Sequence, residues 1–129
     1  MPLPSPHRRP TLRLATTAML LGACALMQAQ AQAQAIKIGL PVPLTGPYGA
    51  EAQDQVRNAE LATKEFNDAG GMGGRKAELL VRDDRLNPGE AATRALELIE
   101  KEGVSFIVGG LSAATQLSIN NVTKQRKVL

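Results

Sequence analysis

Few side chains in this chain of 129 residues are of a type and spacing to do covalent chemistry. The one histidine, His7, and the one cysteine, Cys24, fall in the first 35 residues, which have the pattern of an export signal. Without them, the remainder has no nucleophile and base whose pairing the sequence can name. A non-enzymatic protein is therefore expected. Asp83-Asp84 is an adjacent acidic pair at the end of an apolar run. Such a pair can hold Mg²⁺, but a hard cation needs oxygen ligands from more than one loop. The neighbouring run ends in Pro41-Val42-Pro43, with no carboxylate, and Arg82 and Arg85 flank the acids. A solvated or loop-bracing pair is expected, with no metal and no cofactor. Gly70-Gly71-Met72-Gly73-Gly74 follows a helical pattern and precedes an apolar run, the reverse of a phosphate loop. Gly109-Gly110 does follow an apolar run, but no Gly-Lys-Ser/Thr or third glycine at the fingerprint spacing comes after it. What remains is reversible binding. Ser112 stands at a predicted helix start, where unpaired amides favour an anion, and Thr45 to Glu51 supplies a second wall. A small molecule with a carboxylate suits that arrangement.

The elements that must position these residues follow from periodicity. Ile36, Ile38, Leu40 and Val42 alternate, which predicts a strand that fades at Pro43. Val56, Ala59, Ala62 or Thr63, and Phe66 recur at helical spacing, predicting a helix from about Ala52 to Asn67, with Glu60 and Lys64 at a favourable spacing for a pair. Ala77 to Val81 is a second strand, from which Arg82 to Arg85 are expected to reach the surface. Asn87-Pro88-Gly89-Glu90 reads as cap, first helical position and acidic third position of a helix that Gly103 stops. Val104 to Val108, nearly all apolar, predicts a third strand covered on both faces at the centre of the sheet. Ser112 caps a helix to about Arg126, and Val128-Leu129 reads as the start of a fourth strand. This β-α-β-α-β-α-(β) order requires parallel strands with right-handed crossovers. The loops near 43–51, 83–88 and 109–113 then share one edge, where open α/β sheets hold ligands.

The first 35 residues are a different kind of segment. His7-Arg8-Arg9 and Arg13 precede an apolar, uncharged run from Leu14 to Met27, and Ala33-Gln34-Ala35 follows. This is the order of a signal peptide cleaved before Ile36, and the apolar run is too short to span a bilayer. Two variants also fit: Leu21-Gly22-Ala23-Cys24 resembles a lipobox, with lipid on Cys24, and Arg8-Arg9-Pro10-Thr11-Leu12-Arg13 resembles a twin-arginine signal. All three place the mature protein outside the cytoplasmic membrane. The formal charge of +3 resides in this segment, because Lys/Arg and Asp/Glu balance over residues 36–129. With aromatics at only 2%, nothing marks a nucleic-acid surface.

Four motifs in order carry a resemblance over essentially all of 36–129. They are Ile-Lys-Ile-Gly with Pro-Leu-Thr-Gly-Pro, Glu65 to Lys76, Asp83-Asp84 with Asn87-Pro88 and Ala91-Ala92, and Val108-Gly109-Gly110-Leu111-Ser112. The chain resembles the leucine/isoleucine/valine-binding family, the periplasmic substrate-binding proteins of branched-chain amino acid ABC transporters. The resemblance implies a type I periplasmic-binding fold, an α/β parallel sheet with flanking helices. It implies an amino acid or similar carboxylate as ligand and a membrane ABC permease as partner. It assigns the ligand carboxylate to the motif on Gly109 to Ala113, with Leu111, Ser112, Ala113 and Thr115 at the ligand; Ala113 replaces the family's second serine. Tyr48 and Glu51 fall on the facing wall, where relatives carry an aromatic near Glu51, and the family's glycines near Ala52 and Asn58 are absent. Relatives also take aromatic acids, amides and urea. An extracytoplasmic sensor of the same fold is the alternative role. Since the family continues into a second lobe, residues 36–129 are expected to be part of the first lobe of a truncated form.

Overall fold

The computed structural model describes residues 34–129. The signal peptide predicted over 1–35, with His7 and Cys24, lies outside them apart from Gln34 and Ala35. Three strands and three helices alternate: β1 (Ile36–Val42), α1 (Gly49–Asp68), β2 (Ala77–Asp83), α2 (Pro88–Glu100), β3 (Phe106–Ile107) and α3 (Ala113–Arg126). All strands run parallel in the order β2-β1-β3, with Ile36 opposite Ala77 and Ile38 opposite Phe106. Among the described residues, no helix is long and apolar enough to cross a membrane.

Alternation along β1 sorts its side chains onto two layers. On one face Leu40 and Val42 bury against Ala52 of α1, joined by Val56, Ala59, Leu79 and Val81. On the other, Gly39 lets α2 approach closely, and the buried Leu98 sits over it. Beyond that layer Ala91 and Ala95 of α2 pack on Ile119 and Val122 of α3. The small alanines at helical spacing let the two helix backbones come close, as ridge-into-groove packing requires.

The local punctuation is equally readable. Asn87 Oδ1 accepts from the amides of Gly89 and Glu90 at 2.8 and 3.1 Å, so it caps α2 as its sequence position predicts. Asn67, in the last turn of α1, acts as a strand partner. Its Oδ1 accepts from Ala77 N and its Nδ2 donates to Ala77 O, which fixes where β2 begins. Lys64 pairs with Asp68 rather than with Glu60.

Three expectations are corrected. The second strand does not end at Val81 but continues to Asp83, and Asp84 beyond it is fully buried rather than at the surface. The third strand is two residues long and lies at an edge of the sheet, while β1 holds the centre. The reason is visible in the ladder: Lys37 O accepts from Ser105 N and Gly39 O from Val108 N. Two steps on β1 thus face three on its neighbour, a bulge that interrupts regular pairing. Phe106 and Val108 are 38% and 60% exposed in consequence. Val128 and Leu129 form no strand, although the outward amide of Ile107 donates to Leu129 O at 2.6 Å, the position a fourth strand would take.

With β3 short and at the edge, the α1 side of the sheet is not closed. An open apolar trench of about 500 Å³ runs between α1 and the strands, lined by Ile36, Ile38, Leu40, Phe66, Met72 and Phe106 among others.

Candidate functional site

Because every strand is parallel, the three strand-to-helix loops share the carboxyl edge of the sheet. Backbone bonds draw them together. Gly110 N donates to Pro41 O at 3.3 Å, joining the loop after β3 to the end of β1. Thr45 Oγ1 donates to Asp83 Oδ2 at 2.7 Å, joining the loop after β1 to the end of β2. Burial disfavours the Asp83 anion, but the hydrogen bonds from Thr45 and from Arg85 N outweigh it, and the carboxyl is held below its ordinary value. The Asp83-Asp84 pair thus braces loops, one of the two roles expected of it, and it is not solvated as a unit. Among the described residues no group of three or more His, Cys, Asp or Glu side chains could hold a metal ion.

Ser112 is the cap of α3, in extended backbone. Its Oγ accepts from Thr115 N at 3.2 Å, while its own amide donates to Thr115 Oγ1 at 3.2 Å, a reciprocal capping box closed by threonine. Thr115 Oγ1 also donates to Ser112 O at 2.9 Å and lies 3.0 Å from Ser112 Oγ. Its proton committed, Thr115 Oγ1 can only accept from Ser112 Oγ. The Ser112 hydroxyl proton therefore points inward or rotates outward to a ligand, and no other protein acceptor competes for it among the described residues. The amides of Ala113 and Ala114 make no hydrogen bond among the described residues, and both residues are exposed. Two N–H groups and one hydroxyl at a helix N-terminus are donors of the kind from which a carboxylate accepts.

The predicted site residues fall into three placements. Ser112 and Ala113 are at that helix start, with Leu111 half-buried just before it. Thr115 is completely buried beneath Ser112, so it acts on any ligand through the cap. Tyr48 is 46% exposed at the start of α1, without a side-chain cap bond, and Glu51 is exposed in the first turn. Loops after adjacent strands bring these two groups to one sheet edge. A hollow of about 360 Å³ opens between α1 and the segment that follows β3, lined by Leu40, Gln55, Asn58, Val108, Gly109 and Gly110 among others. None of the six predicted residues lines it. Gln55 and Asn58 were missed because the surface side of α1 carries no motif; the only available signal was the departure from glycine at Asn58.

Thr115→Val tests the cap. The isostere keeps the buried shape and the Thr115 N to Ser112 Oγ bond but loses the bonds made by Thr115 Oγ1, and we expect a loss of about 1–2 kcal/mol in denaturant unfolding. The amide signals of Ala113 and Ala114 should move as well. A variant as stable as the parent, with those signals unshifted, would show that Thr115 does not hold the cap.

Comparison with known proteins agrees with this architecture. The sequence profile of a periplasmic binding protein family matches residues 35–129. The Leu/Ile/Val-binding protein BraC3 of Rhizobium johnstonii is 34% identical over 114 residues, which are 88% of this chain and 30% of that protein. The crystal structure of the branched-chain amino acid transporter substrate-binding protein LivJ from Streptococcus pneumoniae, in complex with isoleucine, superposes with a TM-score of 0.69 at 28% identity, covering 73% of this chain and 27% of that one. A solute-binding protein of an ABC transporter from Rhodopseudomonas palustris BisB5, in complex with 3,4-dihydroxybenzoic acid, gives 0.67 at 28% identity, covering 74% and 25%. The chain thus spans less than a third of the length of each of these relatives. With the parallel sheet, its three loops on one edge and a match running from the first strand to Leu129, the chain belongs to the periplasmic binding protein family, and its described part is a portion of a type I periplasmic-binding fold.

Proposed function

We propose that this chain is the N-terminal portion of an extracytoplasmic solute-binding component of an ABC importer for branched-chain or related amino acids, without enzymatic activity. The observation that carries the reading is the match of residues 35–129 to a periplasmic binding protein family, together with relatives named for leucine, isoleucine and valine binding. The chemistry of the edge supports it: Ser112 Oγ and the amides of Ala113 and Ala114 suit a ligand carboxylate, and Tyr48 and Glu51 stand on the neighbouring loop. Export through the segment 1–35 delivers the protein to the periplasm, with a lipid on Cys24 in the lipoprotein variant, and a membrane ABC permease is the partner. The dihydroxybenzoic acid complex of the Rhodopseudomonas relative favours a second reading, an aromatic acid as ligand through the same carboxylate receptor.

A lobe portion open to water on the ligand's far side should bind weakly, on the order of millimolar. The test is an amide-shift titration of the chain with leucine, isoleucine, valine and 3,4-dihydroxybenzoate. Saturable shifts at Ala113 and Ala114, absent in Ser112→Ala or at least several-fold weaker, support the carboxylate receptor. Which ligand saturates first chooses between amino acid and aromatic acid. No saturable shift at these amides with any of the four would overturn the proposal.

A further inference from the structure

Asp84 is the one fully buried carboxylate among the described residues, and half of its hydrogen-bonding capacity is unused. Its Oδ1 accepts from Leu86 N at 2.9 Å, while its Oδ2 has no partner. The same residue ties three elements together through its backbone. Its amide donates to Val42 O at 3.1 Å, and its carbonyl accepts from Asn87 N, the cap of α2, at 2.9 Å. Between Asp84 and that cap, Arg85 and Leu86 both hold left-handed backbone, with φ of 51° and 56°. That conformation is uncommon for residues with a side chain and strained when two follow each other. Asp83, immediately before, braces this turn through Arg85 N and holds the loop after β1 through Thr45.

No cation among the described residues compensates Asp84. Within its own turn, Arg82 is paired with Glu102, and Arg85 makes no ion pair with it. On the first turns of α2, Arg94 is engaged with Glu90 and Glu97 and with the carbonyl of Asp83. The end of β1 and the start of its loop, Pro41 to Leu44, carry no ionisable group. The charge that does bear on Asp84 is that of Asp83, of the same sign.

We propose that Asp84 is a proton latch: while its carboxyl is neutral, the turn from Asp83 to Asn87 holds the loop that carries Thr45, Tyr48 and Glu51 against β2, and loss of the proton releases that loop. A neutral carboxyl tolerates an apolar surround, whereas an anion with one bare oxygen does not. Burial raises the proton affinity of Asp84 most, the Leu86 amide opposes it in part, and the Asp83 charge adds to it. The folded form therefore holds this proton more tightly than an ordinary carboxyl does. Its stabilising effect is complete below the ordinary carboxylate value of 3.8 and is lost as pH rises through the higher folded value. The anion can reach water only if the left-handed turn opens. Opening also relaxes the backbone strain and breaks the links at Leu86 and Thr45. The latch does not depend on which solute the edge binds.

The two carboxyls titrate on opposite sides of 3.8, so they can be separated in one experiment. The isotope-labelled 129-residue chain is titrated by NMR, following the Asp84 side-chain carboxyl carbon and the amides of Thr45 and Leu86. The expected result is an Asp84 midpoint above 3.8, with Thr45 and Leu86 shifting at that same midpoint, separately from any step at lower pH where Asp83 titrates. In Asp84→Asn, which keeps an acceptor for Leu86, the upper step should vanish at all three positions. An Asp84 midpoint at or below 3.8, or a Thr45 amide that is flat while Asp84 titrates, overturns the latch. Both outcomes are read in the parent chain, so the decision stands even if the variant fails to fold.

Discussion

Gly109→Ala should destabilise the fold by about 3 kcal/mol. The position combines two constraints. Its φ of 143° belongs to backbone that residues with a side chain rarely adopt, and an added Cβ would lie 2.5 Å from Pro41 O and 3.3 Å from Leu40 Cδ1. The first obstacle is backbone of the central strand and cannot swing aside. Relief requires the loop after β3 to lift away, which breaks the Gly110 N to Pro41 O bond and carries the Ser112 cap with it. Gly110 is the internal control. Its φ is 90°, but the nearest atom to an added Cβ is Gln116 Oε1, the far end of a flexible side chain. Gly110→Ala should therefore cost less, nearer to about 1–2 kcal/mol. Denaturant midpoints at unchanged slope measure both. Equal losses, or a Gly109→Ala loss below about 1 kcal/mol, would mean that the loop is not held against β1 as described.

The same glycine shows what was legible in the sequence. Gly109-Gly110 was readable as a strand-to-helix turn, because glycine after an apolar run marks a sharp change of direction. The reason for the first glycine, a carbonyl on another strand, is a long-range fact that no local pattern encodes. Ser112 was likewise readable as a cap, since its type and place before a helical pattern suffice. That Thr115 closes the box from below was not, because the familiar partner there is Glu or Gln. Local signals were strongest where one residue satisfies its own neighbours, as Asn87 does for α2. They failed where tertiary context decides. Val104 to Val108 has the composition of a central strand, yet the bulge against β1 leaves two paired residues at an edge. Asp83 and Asp84 look like a surface pair by type. Pairing with β1 through Val42 instead extends β2 to Asp83 and draws Asp84 inside.

The exposed apolar trench follows from the same edge. Phe66, Met72, Phe106 and Val108 would be unremarkable in the closed core of a larger sheet, but here they face an opening. On the opposite layer α2 is sandwiched between the sheet and α3.

Leu98 is the side chain on which that layer depends, and Leu98→Ala should cost about 3 kcal/mol. It is fully buried and sits over Gly39 of the central strand, whose missing Cβ makes the room: a methyl there would come within 2.9 Å of Leu98 Cδ1 and 3.4 Å of Leu98 Cβ. The neighbouring layer, Ala91, Ala95, Ile119 and Val122, consists of short or β-branched side chains with little freedom to refill a void. The two positions should therefore be coupled in sign. In the parent, Gly39→Ala overpacks and destabilises, by about 1–2 kcal/mol. In the Leu98→Ala background the same methyl group enters the space that leucine vacated and should be neutral or stabilising, giving an interaction energy of about 1 kcal/mol or more in a double-mutant cycle. Denaturant unfolding of the four proteins provides the cycle. If Gly39→Ala costs the same in both backgrounds, Leu98 is not seated on Gly39. The close approach of α2 to β1 would then need another cause.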